Sequence, residues 1–190
     1  MPLLVLPDVF NPTLFLTTPF FAAALDSGLF PRDCRVLEIG TGSGALALAA
    51  ARRGARVTAV DINGEAVRCT RINALLNRLE ERVEVLEGDL FVPVTGRRFD
   101  VVLTNPPFFR GVPRDRWDLA WRSEDFLERF TASVGDHLEA DGQILVLLSS
   151  VAPTAPLFAG CAAAHLAVEA VRRLKMASET LTIYRLRSAR

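Results

Sequence analysis

Short apolar runs alternate with longer helical stretches along most of this chain, and that alternation restricts the fold more than any other feature. Arg35 to Ile39 (RVLEI) reads as a strand and runs into a glycine-rich turn. Ala45 to Arg53, rich in Ala and Leu, predicts a helix stopped by Gly54. Arg56 to Val60 is a second strand, and Glu65 to Leu79 a helix with Val67, Ile72, Leu75, Leu76 and Leu79 on one apolar face. Further strands are expected at Val83 to Leu86, Phe99 to Leu103 and Gln143 to Leu148, with helices at Ser123 to Leu138 and Pro156 to His165. Ala167 to Leu174 and Thr180 to Leu186 read as a closing antiparallel hairpin. Strand, helix, strand in short succession means parallel strands joined by right-handed crossovers. Strands that are apolar throughout imply a sheet covered on both faces. The expected fold is α/β: an open, mostly parallel seven-stranded sheet with helices on both faces. Such sheets take ligands at the carboxyl ends of their strands, which directs attention to Gly40, Asp61 and Asn105.

Composition narrows the classes of function. A length of 190 residues suits one domain, here 1–190, with 1–34 as an extension and 35–190 as the core. The formal net charge is zero, so no global field would hold a polyanion. Cys34, Cys69 and Cys161 are odd in number and far apart, fitting neither a disulfide framework nor a metal site. Reduced thiols in a cytoplasmic protein are expected. The first residues, MPLLVLPDVFNP, lack a basic segment and are broken by prolines, unlike a signal peptide. No apolar run has the length a membrane span needs.

The turn after the first strand reads VLEIGTGSG, Val36 to Gly44. Its glycines alternate at 40, 42 and 44, a spacing unlike that of the dinucleotide fingerprint. They permit positive φ and close approach of a ligand to the backbone. Glu38 would repel a pyrophosphate but suits a ligand with positive charge. Asp61 ends the second strand, where an acid commonly takes ribose hydroxyls. It could instead cap the following helix, although Asn63 could serve as that cap. Asp89, in EGDLF, could accept from an adenine amino group.

Together these features resemble the class I S-adenosylmethionine-dependent methyltransferases, over roughly Val36 to Leu148 and the terminal hairpin. The resemblance implies a Rossmann-like sheet with S-adenosyl-L-methionine as cofactor. It places Glu38, Gly40, Gly42 and Gly44 at the methionine part, Asp61 at the ribose and Asp89 with Leu90 at the adenine, with Thr41, Ile62 and Asn105 also against the cofactor. A sulfonium is cationic, which suits Glu38.

Asn105-Pro106-Pro107-Phe108, after the fourth strand, matches the (N/D)PP(Y/F) motif of amino-group methyltransferases. The lone pair of a planar nitrogen is delocalised and must be turned toward the methyl group. The Asn105 side-chain oxygen and the Pro106 carbonyl can each accept one N–H of the substrate. The prolines stiffen the loop and bring no competing N–H. Phe108 can stack on a flat substrate group. This is catalysis by positioning and electrostatics.

Two subfamilies are similar at this motif. The HemK-like protein glutamine methyltransferases share the glycine turn, the Asp61-Ile62 pair and the NPP sequence, although their motif usually ends in Tyr and here ends in Phe108. Nucleobase enzymes methylating guanine N2 or adenine N6 in RNA are closer at Phe108 to Gly111, but a neutral chain suits them poorly. A protein glutamine is the preferred substrate, with RNA or a small metabolite as alternatives; neither a membrane nor a metal is expected to take part. Arg110, Arg114, Arg116 and Arg122 crowd the next segment beside Asp115 and Asp118, either steering an anion or forming local ion pairs. Trp117 and Trp121 are read as anchors of that segment, and His137 and His165 as structural residues on helices. Thr17, Thr18 and Phe20, ahead of the first strand, could pack over the cofactor.

Overall fold

The computed structural model describes residues 1–189. Its helices and strands follow in the order α1 (Thr17–Asp26), β1 (Arg35–Ile39), α2 (Ala45–Arg52), β2 (Arg56–Asp61), α3 (Gly64–Leu76), β3 (Val83–Glu87), β4 (Phe99–Thr104), β5 (Phe109–Arg110), β6 (Arg122–Ser123), α4 (Phe126–Ser133), β7 (Leu138–Ser149), α5 (Ala155–Ala163), β8 (Leu166–Lys175) and β9 (Thr180–Ser188). Seven strands form one sheet in the order β3-β2-β1-β4-β7-β9-β8. The first five run parallel, and β9 pairs antiparallel with both β7 and β8.

Alternation along the central strands feeds two cores. Val36, Val57, Val101, Leu103, Leu145 and Leu147 face α1 and α2, where Phe21, Leu25 and Leu48 meet them. Leu37, Ile39, Val102, Ile144 and Val146 face the other way, onto Phe130 of α4 and Leu157 of α5. Sheet order reverses between β1 and β4, so their carboxyl ends diverge and leave a crevice there.

Four local expectations change. Leu75 and Leu76 of α3 are exposed, at 61% and 52%, not buried. The covered side of α3 instead carries Ala66, Cys69, Thr70 and Asn73, because residues ahead of α1 lie along it. Asn73 holds this segment by accepting from the Leu4 N–H at 2.8 Å and donating to the Leu4 carbonyl at 2.8 Å. The helix expected from Ser123 starts only at Phe126, since Arg122 and Ser123 pair in parallel with Phe109 and Arg110. This two-stranded sheet takes backbone groups a longer helix would have used. Its end at Ser133 leads into a short 3₁₀ turn, which carries His137. His165 lies beyond α5, at a φ of 52°, and terminates that helix rather than belonging to it. Finally, β7 begins at Leu138, where Leu138 pairs with Phe99 ahead of a register shift.

Among the described residues, no helix is long and apolar enough to cross a membrane. All three cysteines are free and buried.

Candidate active site

The glycine turn leaves β1 through two hydrogen bonds, from the N–H groups of Gly40 and Thr41 to the Val60 carbonyl at 2.9 and 3.2 Å. Gly40, Gly42 and Gly44 all take positive φ, at 75°, 57° and 81°. Their roles separate. A Cβ on Gly40 or Gly42 would meet nothing within 4 Å, so the backbone there is open to a ligand. A Cβ on Gly44 would sit 2.8 Å from Cγ2 of Thr70. Gly44 therefore serves the packing of α2 against α3 and does not line the cavity, contrary to its expected place beside the methionine part. From α3, Thr70 Oγ1 donates to the Gly42 carbonyl at 3.0 Å and Asn73 Nδ2 to the Ser43 carbonyl at 2.9 Å. Two polar side chains on one face of a helix thus fix the turn. Neither had been singled out, although polar residues three apart within a covered helix face are a readable signal.

Glu38 is 2% exposed and accepts from Thr41 Oγ1 at 2.7 Å. Burial pushes its carboxyl up to about 8, against the pull of the hydrogen bonds from Thr41 and the Ala47 N–H. A cation beside Glu38 would restore the carboxylate. Asp61, at the end of β2, accepts from the Gly42 N–H at 2.8 Å and the Asn63 N–H at 2.9 Å. Burial raises its carboxyl too, while those backbone donors hold it down. Asp61 thus ties the glycine turn to β2 and keeps lone pairs free for further donors. Asn63 is the N-cap of α3, accepting from the Glu65 N–H at 3.1 Å. Ile62 presents a 53% exposed side chain to the cavity.

Asp89 and Leu90 line the same cavity, Leu90 with a φ of 47°. Asp89 is paired with Arg129 of α4, whose side chain also lines the cavity. Forty residues separate the two, and no sequence pattern marks the pair.

Asn105 follows the last residue of β4 and enters the cavity with Pro106, Pro107 and Phe108. Its Oδ1 is buried and has no hydrogen-bond partner. Few buried acceptors are left unpaired in folded proteins, so this one marks Asn105 as a candidate functional group. The cavity measures about 210 Å³ and takes in the glycine turn, Asp61, Asp89 and the Asn105 loop together.

The following segment forms the outer wall. Phe109 N–H bonds to the Trp121 carbonyl at 2.8 Å and Gly111 N–H to the Ser123 carbonyl at 3.0 Å. Three of its four arginines are held in ion pairs: Arg110 to Glu128 at 2.5 Å, and Arg114 and Arg122 to Asp118 at 3.1 and 3.2 Å. Asp118 is buried, and the Arg114 hydrogen bond keeps its carboxyl below the usual range. Trp121 lines the cavity and meets Phe10 and Phe15 edge-on, at centroid distances of 5.1 and 4.7 Å. The N-terminal segment so reaches over the site, contributing Asp8, Val9, Phe10 and Thr18 to its lining. Thr17 and Phe20 do not line it.

A parallel sheet closed by an antiparallel hairpin, with a glycine turn and an Asn-Pro-Pro loop at its switch point, defines a methyltransferase of the Rossmann-like class. The chain belongs to the methyltransferase small domain family, which matches residues 4–177. It is 32% identical over 157 residues to a putative protein N5-glutamine methyltransferase of Methanocaldococcus jannaschii, covering 78% of each chain. It is 41% identical over 104 residues to a release factor glutamine methyltransferase of Gloeobacter violaceus, but this match spans 52% of the chain and 36% of that protein. Among solved structures it resembles a T. thermophilus 16S rRNA N2 G1207 methyltransferase in complex with AdoMet and guanosine, with a TM-score of 0.70 and 25% identity. That likeness covers 94% of this chain and 45% of the other.

Proposed function

We propose that this protein transfers a methyl group from S-adenosylmethionine to the side-chain amide nitrogen of a glutamine in a protein substrate. One observation carries the reading: the buried Asn105 Oδ1 has no partner, and Asn105 lines the same cavity as the open glycine turn. The relatives named above support the amide as the acceptor. The chain acts as one domain in the cytoplasm, residues 1–34 roofing the cofactor site.

The donor set fits the cofactor. Gly40, Thr41 and Gly42 would take its methionine end, with the Glu38 carboxyl facing positive charge. Asp61 would accept from the ribose hydroxyls, while Ile62, Asp89 and Leu90 would border the adenine. Gly44 contributes by shaping the turn. The bound cofactor supplies the methyl group on a sulfonium, a neutral leaving group once the methyl is transferred.

The chain's own residues do the rest. Asn105 Oδ1 and the Pro106 carbonyl accept the two amide hydrogens and aim the nitrogen lone pair, which stands perpendicular to the amide plane, at the methyl group. Those acceptors gain strength as positive charge develops on nitrogen. Pro106 and Pro107 hold the loop stiff, and Phe108 lies against the flat amide. The roof of Phe10 and Trp121 limits water. Nitrogen becomes strongly acidic on methylation, so water can take the last proton and no side-chain base is required.

The test is methyl transfer from labelled S-adenosylmethionine into a fractionated cell extract, with Asn105→Ala as control. Label in a protein, at glutamine and lost in the variant, is expected. Label confined to RNA would overturn the substrate in favour of a nucleobase.

A further inference from the structure

Trp121 carries a feature that anchoring alone does not explain. Its Nε1 is buried and has no hydrogen-bond partner, although the ring lines the cavity. Leaving an indole N–H unpaired is costly, and Trp N–H groups normally find an acceptor when buried. Phe10 and Phe15 meet the ring edge-on, and a contact with an aromatic face is a weak substitute for an oxygen. The segment is not free to swing away. Its backbone is clipped to the Asn105 loop through Phe109, at 2.8 Å, and Asp118 beneath it holds Arg114 and Arg122.

Among the described residues that line the cavity, two have a buried, unpaired side-chain polar atom: the acceptor Asn105 Oδ1 and the donor Trp121 Nε1. A primary carboxamide presents the complement: two N–H donors on nitrogen and one acceptor on oxygen, all in a plane. A carboxylate has no N–H for Asn105, and an alkylammonium has no acceptor for Trp121. We propose that Trp121 is a substrate-binding residue whose indole N–H donates to the carbonyl oxygen of the substrate amide, making the site selective for a carboxamide over a carboxylate or an alkylammonium. This rests on the reading of Asn105 as the residue that holds the acceptor nitrogen.

The bond should act on binding more than on turnover. A donor on the amide oxygen favours the resonance form that draws the lone pair from nitrogen. It therefore orients the ground state without helping the nitrogen attack. Replacing Trp121 by Phe keeps an aromatic ring, though a smaller one, and removes the N–H. The expected effect is a rise of about tenfold in KM, the worth of one hydrogen bond, with kcat held or slightly raised. Lost packing alone would lower kcat as well.

Trp117 and Trp121 are the chain's two tryptophans, so a ¹⁵N-labelled sample shows two indole resonances, assigned with Trp117→Phe. The protein saturated with S-adenosylhomocysteine is titrated with N-acetylglutamine methylamide, N-acetylglutamate methylamide and 9-methyladenine. The glutamine probe is expected to move the Trp121 indole proton downfield together with the Asn105 side-chain amide, and the glutamate probe neither. If the glutamine probe moves Asn105 and leaves Trp121 in place, Trp121 is not the donor, while the amide reading stands. If only 9-methyladenine moves Asn105, the amide reading falls and takes this inference with it. Equal response to the glutamate probe, or none to any probe, also overturns the inference.

Discussion

Asn105→Ala should separate stability from activity in a way few substitutions do. In the free protein, the buried and unpaired Oδ1 costs on the order of 1–3 kcal/mol. Alanine removes that cost and leaves only a small void beside an open cavity. The free enzyme should therefore melt at the same temperature or a few degrees higher, since about 1 kcal/mol moves the melting point of a domain this size by about 2–4 °C. Turnover should collapse. Loss of a preorganised acceptor facing developing charge costs about 2.7–4 kcal/mol, or about 10²–10³ in kcat. Cofactor affinity should stay within a factor of about two to three, as Asn105 is one lining group among many. Asn105→Asp keeps an acceptor in place and should retain more activity than alanine. Labelled methyl transfer and a thermal melt on the same samples read both quantities. A variant that melts well below the parent while retaining turnover would refute the assignment, because it would mark Asn105 as a structural residue.

Other expectations follow from the same geometry. The Glu38 carboxyl keeps its proton in the folded protein up to about 8, whereas in the unfolded chain it loses it near the ordinary value of 4.5. The folded state then holds the extra proton between those values, so this residue's contribution to stability declines as pH rises through the window. Denaturant titrations of Glu38→Gln should show a flatter pH profile than the parent; parallel profiles would count against a protonated Glu38. Gly44→Ala forces a methyl into contact with Thr70 at a φ of 81° and should cost about 1–3 kcal/mol in a melt, and a neutral result would contradict the packing role. Arg129→Gln frees Asp89 from its exposed ion pair. Stability should change by under about 1 kcal/mol, while S-adenosylhomocysteine affinity measured by calorimetry falls severalfold; unchanged affinity would remove the pair from the adenine end.

Much of the architecture was legible because central strands such as RVLEI and Phe99 to Leu103 are apolar on both faces, a pattern no amphipathic helix shares. The glycine turn, Asp61 and the Asn105 loop were readable for a related reason, since each sits at the carboxyl end of such a strand. What failed to show depends on partners distant in the chain. Leu75 and Leu76 satisfy a helical period, yet residues near Leu4 cover the neighbouring face of α3 and take Asn73 and Cys69 as the contact. Gly44 looks like its neighbours in sequence and differs only through Thr70, 26 residues later. Arg129 and Asp89 carry no mutual mark, and the unpaired N–H of Trp121 exists only because of what surrounds it. Helix propensity beyond Ser123 lost to the pairing of Phe109 and Arg110 with Arg122 and Ser123.

That two-residue pairing has a further consequence. It closes the excursion from Gly111 to Trp121 at its base, as a clasp closes a loop of cord. The residues within the clasp belong neither to β4 nor to the Asn105 loop. On the function proposed above, the excursion would choose what receives the methyl group, and β4 with Asn105 would perform the transfer. Grafting a relative's excursion between Arg110 and Arg122 becomes a direct route to retargeting the enzyme, with the methyl-donor half left as it is.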